Sequence, residues 1–170
     1  EVIVCNIEAG FSDQNQDCND DNNAISPSAP DEPEVANEFG TFPSLNVSDT
    51  NCDGMDGEVY LSFFVSRNGD DVMGDGASQR PFRSITRAVQ AASERSEGAQ
   101  IYVAEGTYVE GIVLPNGTSI YGMYVDEPGD SDYGWRREYG FNTIVAPVAG
   151  PALIVPGYSE GGAVQGILFR

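Results

Sequence analysis

The sequence predicts an all-β chain, a parallel β-helix, that carries one short amphipathic helix and has an irregular acidic segment in front. Three observations lead there. Residues 6–57 are rich in Asp, Asn, Ser and Pro with few large apolar side chains, whereas strand and helix patterns begin at Glu58. After Gly98 the apolar runs are short, and Gly, Pro or Asn lies near many of the turns. Ile101, Ile120, Ile144 and Ile167 recur 19, 24 and 23 residues apart. A period of about 20 residues, with two or three tiny strands in each, suits stacked coils that turn apolar side chains inward. An antiparallel sandwich with irregular loops is the alternative that the pattern leaves open.

Two units follow from this: an acidic segment, 1–57, and the cap and first coils, 58–170. In the first unit Val2 and Val4 alternate and suit a short edge strand. Pro27, Pro30, Pro33 and Pro43 favour extended, non-helical chain. So little apolar surface stays ordered only if a disulfide or bound cations hold it. In the second unit Val59, Leu61, Phe63 and Val65 alternate around Phe64, the pattern of a mostly buried strand. Asn68-Gly69-Asp70-Asp71 and Gly74-Asp75-Gly76 read as loop. Phe82, Ile85, Val89 and Ala92 are spaced by three and four, which predicts a helix over 81–95, with Pro81 in its first turn and Gly98 at its stop. Short strands follow at 101–103, 112–114, 119–121, 143–145, 152–155 and 166–169. A polar, aromatic insertion occupies 123–142.

Charge narrows the function. The 170 residues carry 27 acids and 8 bases, a formal net charge of −19. Every base is Arg; there is no Lys and no His. No basic surface is available for nucleic acid or an anionic membrane. A Ser/Cys–His triad, a His-ligated zinc site, a P-loop and a Schiff-base lysine are all excluded. Cys5, Cys18 and Cys52 form no C-x-x-C pair, which argues against a thiolate zinc or redox site. No apolar run approaches the length of a membrane span. The first residues, Glu-Val-Ile-Val-Cys, lack a positive n-region and an apolar h-region, so an exported form has already lost its signal.

Residues 63–124 carry a recognisable series. It runs Phe-Phe-Val-Ser-Arg-Asn-Gly-Asp-Asp, then Gly-Ala-Ser-Gln-Arg-Pro-Phe-Arg-Ser-Ile-Thr-Arg-Ala-Val-Gln-Ala-Ala, then Ile-Tyr-Val-Ala-Glu-Gly-Thr-Tyr-Val-Glu-Gly, then Leu-Pro-Asn-Gly-Thr-Ser-Ile-Tyr-Gly-Met-Tyr. This resembles the opening of right-handed parallel β-helix proteins of the pectin-lyase-like superfamily, especially large secreted bacterial surface proteins. The resemblance implies that the first strand and the helix cap the solenoid, that Gly-Thr-Tyr closes the first coil, and that 143–170 supply the next ones. The acidic segment is similar to Asp-Cys-Asp-Asp metal-binding repeats, through Asp17-Cys18-Asn19-Asp20-Asp21 and Ser26-Pro27-Ser28-Ala29-Pro30-Asp31-Glu32. Asp49-Thr50-Asn51-Cys52-Asp53-Gly54-Met55-Asp56-Gly57 resembles their second half, and also the calcium repeats of thrombospondin type 3. A long insert, 35–48, separates the halves, so the segment is one degenerate copy.

Asp13-x-Asn15-x-Asp17 and Asp49-x-Asn51-x-Asp53 place oxygen ligands at alternate positions, as the first half of an EF-hand loop does. Neither run has a bidentate Glu at the twelfth position. Gly54 allows a sharp turn, after which Asp56 joins; the metal-binding resemblance adds Asp20 and Asp21. Hard oxygens select Ca²⁺ over zinc or copper. Cys18 and Cys52 each sit inside an acidic motif, so metal binding brings them together. A Cys18–Cys52 disulfide is expected, with Cys5 free or paired to another chain.

Catalytic candidates are few. Glu105 and Glu110 flank Gly-Thr-Tyr and read as solvated turn carboxylates; Arg136 and Arg137 read as salt-bridged loop residues. Tyr133, Trp135 and Tyr139 in the insertion are candidate glycan contacts, weighed against a role in folding the insertion onto the coils. Asn46-Val-Ser48 and Asn116-Gly-Thr118 match the glycosylation pattern. The sequence therefore points to a secreted, calcium-stabilised, non-enzymatic structural protein of a cell surface or extracellular filament or matrix. A fragment of a polysaccharide lyase or hydrolase, or a carbohydrate-binding adhesin, is the alternative. Open coils expose apolar side chains and strand edges. The coil at Ile167-Leu168-Phe169 is accordingly expected to be covered by a longer parent chain or by self-association into filaments.

Overall fold

The computed structural model describes residues 18–19, 21–33, 48–95, 99–127, 134–137, 140, 142–156 and 161–170. Cys5, Asp13, Asn15, Asp17, Asp20, Tyr133 and Tyr139 lie outside them, as do Val2, Val4 and Gly98.

Strands with one short helix make up the described regular structure. β1 (Ser62–Val65) leads through a loop to α1 (Ile85–Ser93). β2 (Ala99–Ala104), β3 (Gly106–Tyr108) and β4 (Ile112–Val113) follow, then the long β5 (Thr118–Asp126) and β6 (Trp135–Arg137). β7 (Thr143–Val145), β8 (Leu153–Ile154), β9 (Val164–Gln165) and β10 (Ile167–Phe169) complete the order.

Nearly every pairing is parallel. β1, β2, β5 and β9 form one sheet, with Phe63 opposite Ile101, Ile101 opposite Ile120, and Ile120 opposite Val164. β3, β7 and β10 form a second, in the register Thr107–Ile144–Leu168. β4 and β8 form a third. The strands β2-β3-β4 are thus matched one by one by β5-β7-β8, and these mostly parallel sheets fit the β-helix kind of fold. The single antiparallel pairing among the described strands is β6 on the far half of β5.

The structure corrects several details. The four isoleucines do not form one column: Ile101 and Ile120 pair in the first sheet, while Ile144 and Ile167 lie in the second. The first strand begins at Ser62, since Tyr60 and Leu61 are exposed. The helix begins at Ile85 and not at Pro81, because Phe82 is held extended: its N–H donates to the Phe64 carbonyl and its carbonyl accepts from Ser66. Those bonds, with Phe64 N–H to Gly76 O, cover the outer edge of β1. Gly106-Thr107-Tyr108, expected as a closing turn, is a strand in its own right.

The inner core follows from strand alternation. Ile101, Val103, Ile120, Ile112, Tyr108 and Val145 are buried together, and α1 adds Ile85, Ala88, Val89 and Ala92 from one face. Ser84 caps the helix by accepting from Arg87 N–H at 3.2 Å. A second cluster covers the opposite face of the first sheet: Phe64, Tyr102, Tyr121, Tyr124 and Trp135, closed by Met55 and Val59. Tyr121 and Tyr124 are three apart, so a regular strand would send them to opposite faces. A register shift between them, with Met123 at φ 69, keeps both in this cluster. Thr143 secures the shift, its Oγ1 accepting from Met123 N–H at 3.0 Å. Where β5 meets the β9–β10 corner, Gly122 and Gly166 stand back to back. A Cβ on Gly166 would lie 2.9 Å from the Gly122 carbonyl oxygen.

Candidate functional site

Of the described residues that carried the functional expectation, Asp56 and Trp135 lie against the outer face of the first sheet. There an acidic strap, residues 21–33 and 48–59, lies over the aromatic cluster. Cys18 and Cys52 are joined by a disulfide, Cα to Cα 5.6 Å. Beyond Cys52 the chain folds on its own side chains. Asp49 accepts from the N–H groups of Asp53 at 3.1 Å and Gly54 at 2.8 Å. Asn51 Oδ1 accepts from Asp53 N–H at 3.0 Å, and Asp53 Oδ1 accepts from Met55 N–H at 3.0 Å. Such short polar side chains bond to nearby backbone and make the turn without a core.

The other half of the strap is tied to this loop through Asp31. Its carboxylate accepts from Thr50 Oγ1 at 2.8 Å and from Gly57 N–H at 2.9 Å, and Ser26 N–H reaches the Thr50 carbonyl at 2.9 Å. Burial pushes the Asp31 carboxyl above its ordinary range. Burial also pushes Asp53 up to about 6, against bonds from Asn51 and Met55 that favour its charged form; the charge of Asp49 pushes the same way as burial.

Asp49, Asn51 and Asp53 are therefore brought into one loop, and their donor set is all oxygen, which suits a hard cation. Asp56 is committed differently: it is buried, and its Oδ2 lies 3.2 Å from Arg137 Nη1. Asp21 is exposed. Among the described residues, no group of three or more His, Cys, Asp or Glu is gathered so as to hold a metal ion.

Trp135 does not present a face to a sugar. It is 1% exposed, packed 4.8 Å from the Phe64 ring centroid, and its Nε1–H donates to the Ser78 carbonyl at 3.0 Å. It anchors the insertion to the sheet. Arg136 pairs with Glu127 at 3.2 Å, alongside the Arg137–Asp56 pair. Glu110 is more than a solvated turn residue. Its carboxylate accepts from the N–H groups of Ile85 at 3.0 Å and Thr86 at 2.8 Å, at the start of α1. A remote carboxylate satisfies orphan helix donors and the positive end of the helix dipole in this way. Nothing in local sequence marks that contact, since 25 residues separate Glu110 from Ile85.

One groove, of about 820 Å³, runs beside the strap. Glu32, Glu58, Glu94, Arg95, Gln100 and Ser119 are among the residues that line it. Tyr60 stands at its rim, 78% exposed. Sequence reading missed this groove, because its walls come from segments far apart in the chain. No described helix is long and apolar enough to cross a membrane.

Residues 67–155, more than half of the chain, match the family described as "Protein of unknown function (DUF1565)". The chain belongs to that family. The DUF1565 match starts just after β1 and takes in α1 and strands β2 to β8, the part in which one set of parallel strands is laid upon the next. The strap lies ahead of the matched span. No curated protein and no solved structure matches the chain.

Proposed function

We propose that this chain is a secreted, calcium-stabilised, non-enzymatic structural protein. It forms the capped N-terminal coils of a right-handed parallel β-helix within a cell-surface or extracellular filament or matrix. The observation that carries the reading is the strand-by-strand register of β2-β3-β4 on β5-β7-β8. Architecture repeated along one axis buries a core only between neighbours, and so lends itself to extension by further coils or by another copy. The disulfide supports an oxidising, extracellular setting. Ca²⁺ bound by Asp49, Asn51 and Asp53, together with Asp13, Asn15, Asp17, Asp20 and Asp21, relieves the repulsion among those carboxylates and stabilises the folded state by mass action. Of the side chains weighed for catalysis, Glu110 caps α1, Arg136 pairs with Glu127 and Arg137 neutralises Asp56.

Thermal melting in calcium and in chelator, followed by native mass spectrometry and electron microscopy, tests both parts. A melting temperature raised by calcium, with assemblies larger than the 18.2 kDa chain, is the expected result. Equal melting temperatures remove the calcium part. A monodisperse monomer in both conditions removes self-assembly.

The groove favours a second reading, a polysaccharide-binding surface. Its carboxylates accept hydroxyl hydrogen bonds, and Tyr60 offers an aromatic face at the rim. Glycan-array binding that Tyr60→Ala abolishes supports it; an array without signal excludes it.

A further inference from the structure

The strap and the sheets beneath it are built differently. Every strand pairing among the described residues lies at Ser62 or beyond, and the inner core takes no described residue before Phe63. The strap contributes Met55 and Val59 to the outer cluster, with Pro33 buried alongside. Otherwise it holds itself by side chain–backbone turns. It reaches the sheet through Glu58 N–H to Tyr102 Oη at 2.8 Å, Tyr124 Oη–H to the Asp56 carbonyl at 2.7 Å, and the Arg137–Asp56 pair. A segment with few apolar contacts and no ladder opens at lower free energy than the sheets it covers.

The disulfide sits where a reductant can reach it. Cys18 is exposed and Cys52 is half-buried. The Cys18 N–H lies 3.0 Å from Cys52 Sγ, so a thiolate forming on Cys52 already has a donor, which makes it the better leaving group. Cys52 also holds φ 58, a left-handed conformation that costs a residue with a Cβ and persists only when its surroundings fix it.

We infer that the strap is a thiol-released cover over the aromatic outer face of the first sheet. With the bridge intact, Phe64, Tyr102, Tyr124 and Trp135 are sealed. With the bridge reduced, the strap lifts and they face solvent, while the parallel sheets stay folded. The chemistry is exchange with a dithiol. Its thiolate attacks Cys18 Sγ, the Cys18–Cys52 bond breaks, and Cys52 leaves as a thiolate and takes a proton. The second thiol then attacks the mixed disulfide and frees Cys18. The reductant ends as its own disulfide, and two electrons have passed to the protein.

Hydrogen exchange read by mass spectrometry tests this, with calcium held constant and the chain compared before and after dithiothreitol. The Cys18→Ser/Cys52→Ser variant serves as the reductant-free counterpart. Exchange at residues 49–58 is expected to rise about a hundredfold or more, with a red shift of Trp135 emission and unchanged protection in β3 and β7. Unchanged exchange at 49–58 overturns the inference. So does uniform loss of protection in every strand, because the cover would then be inseparable from the fold.

Discussion

Arg137 of β6 sets its Nη1 3.2 Å from Oδ2 of Asp56, with both side chains buried, so the insertion and the acidic strap are locked together across the edge of the aromatic cluster. Removing one member of a buried pair leaves the other uncompensated. Arg137→Met is expected to cost about 3 kcal/mol, measured as a shift of the denaturant midpoint. Arg137→Met combined with Asp56→Leu is expected to recover most of that loss. A single variant as stable as the parent would show that the pair contributes nothing.

Glu110 acts on a helix it does not belong to. Glu110→Ala removes the acceptor for the Ile85 and Thr86 N–H groups and is expected to destabilise by about 1–2 kcal/mol, the cost of a lost cap. Glu110→Gln keeps an oxygen and loses only the charge, so its effect is expected to be smaller. Urea unfolding of the two variants checks the order; equal losses would mean that charge alone matters.

Gly57 stands at φ 113, and a Cβ there would collide with the Tyr102 phenol. Gly57→Ala adds both strain and overlap, at about 2–3 kcal/mol. Because the strap gives way more easily than the sheets, the expected signature is faster exchange of 49–58 ahead of any change in the overall midpoint. Wild-type exchange in that peptide would contradict the close approach.

Burial pushes the phenol groups of Tyr102, Tyr108, Tyr121 and Tyr124 above their ordinary value of 10.0. The folded chain therefore keeps these protons at a pH where the unfolded chain releases them. Their contribution to stability is complete below pH 10 and is lost as pH rises above it. Alkaline titration followed by phenolate absorbance and far-ultraviolet circular dichroism is expected to show these tyrosines ionising together with unfolding. Ionisation near pH 10 with the fold intact would contradict their burial.

Much of the strand content was legible because it rests on local pattern. Ile101-Tyr102-Val103 and Thr143-Ile144-Val145 carry their own apolar signal and lie where the pattern put them. The Cys18–Cys52 bridge was legible from the acidic motifs that flank each cysteine. Face and sheet were not legible, because a spacing count records sequence distance only: it aligned Ile120 with Ile144, which belong to different sheets. The shift at Met123 was hidden because only tertiary packing requires Tyr121 and Tyr124 to share a face. Trp135 carries the same lesson for the site. An aromatic in a polar insertion looks available until a sheet with Phe64 and Tyr124 on its surface covers it.

The outer edge of β5 is divided between two neighbours. β9 runs parallel along Ile120 and Tyr121, while β6 runs antiparallel along Tyr124 to Asp126. A strand continuing the parallel order beyond β6 would meet a neighbour pointing the opposite way. The β5–β6 pairing therefore works as a polarity stop: along Tyr124 to Asp126 the first sheet takes no further strand in the parallel sense, and on this edge of β5 only the segment facing β9 keeps that sense.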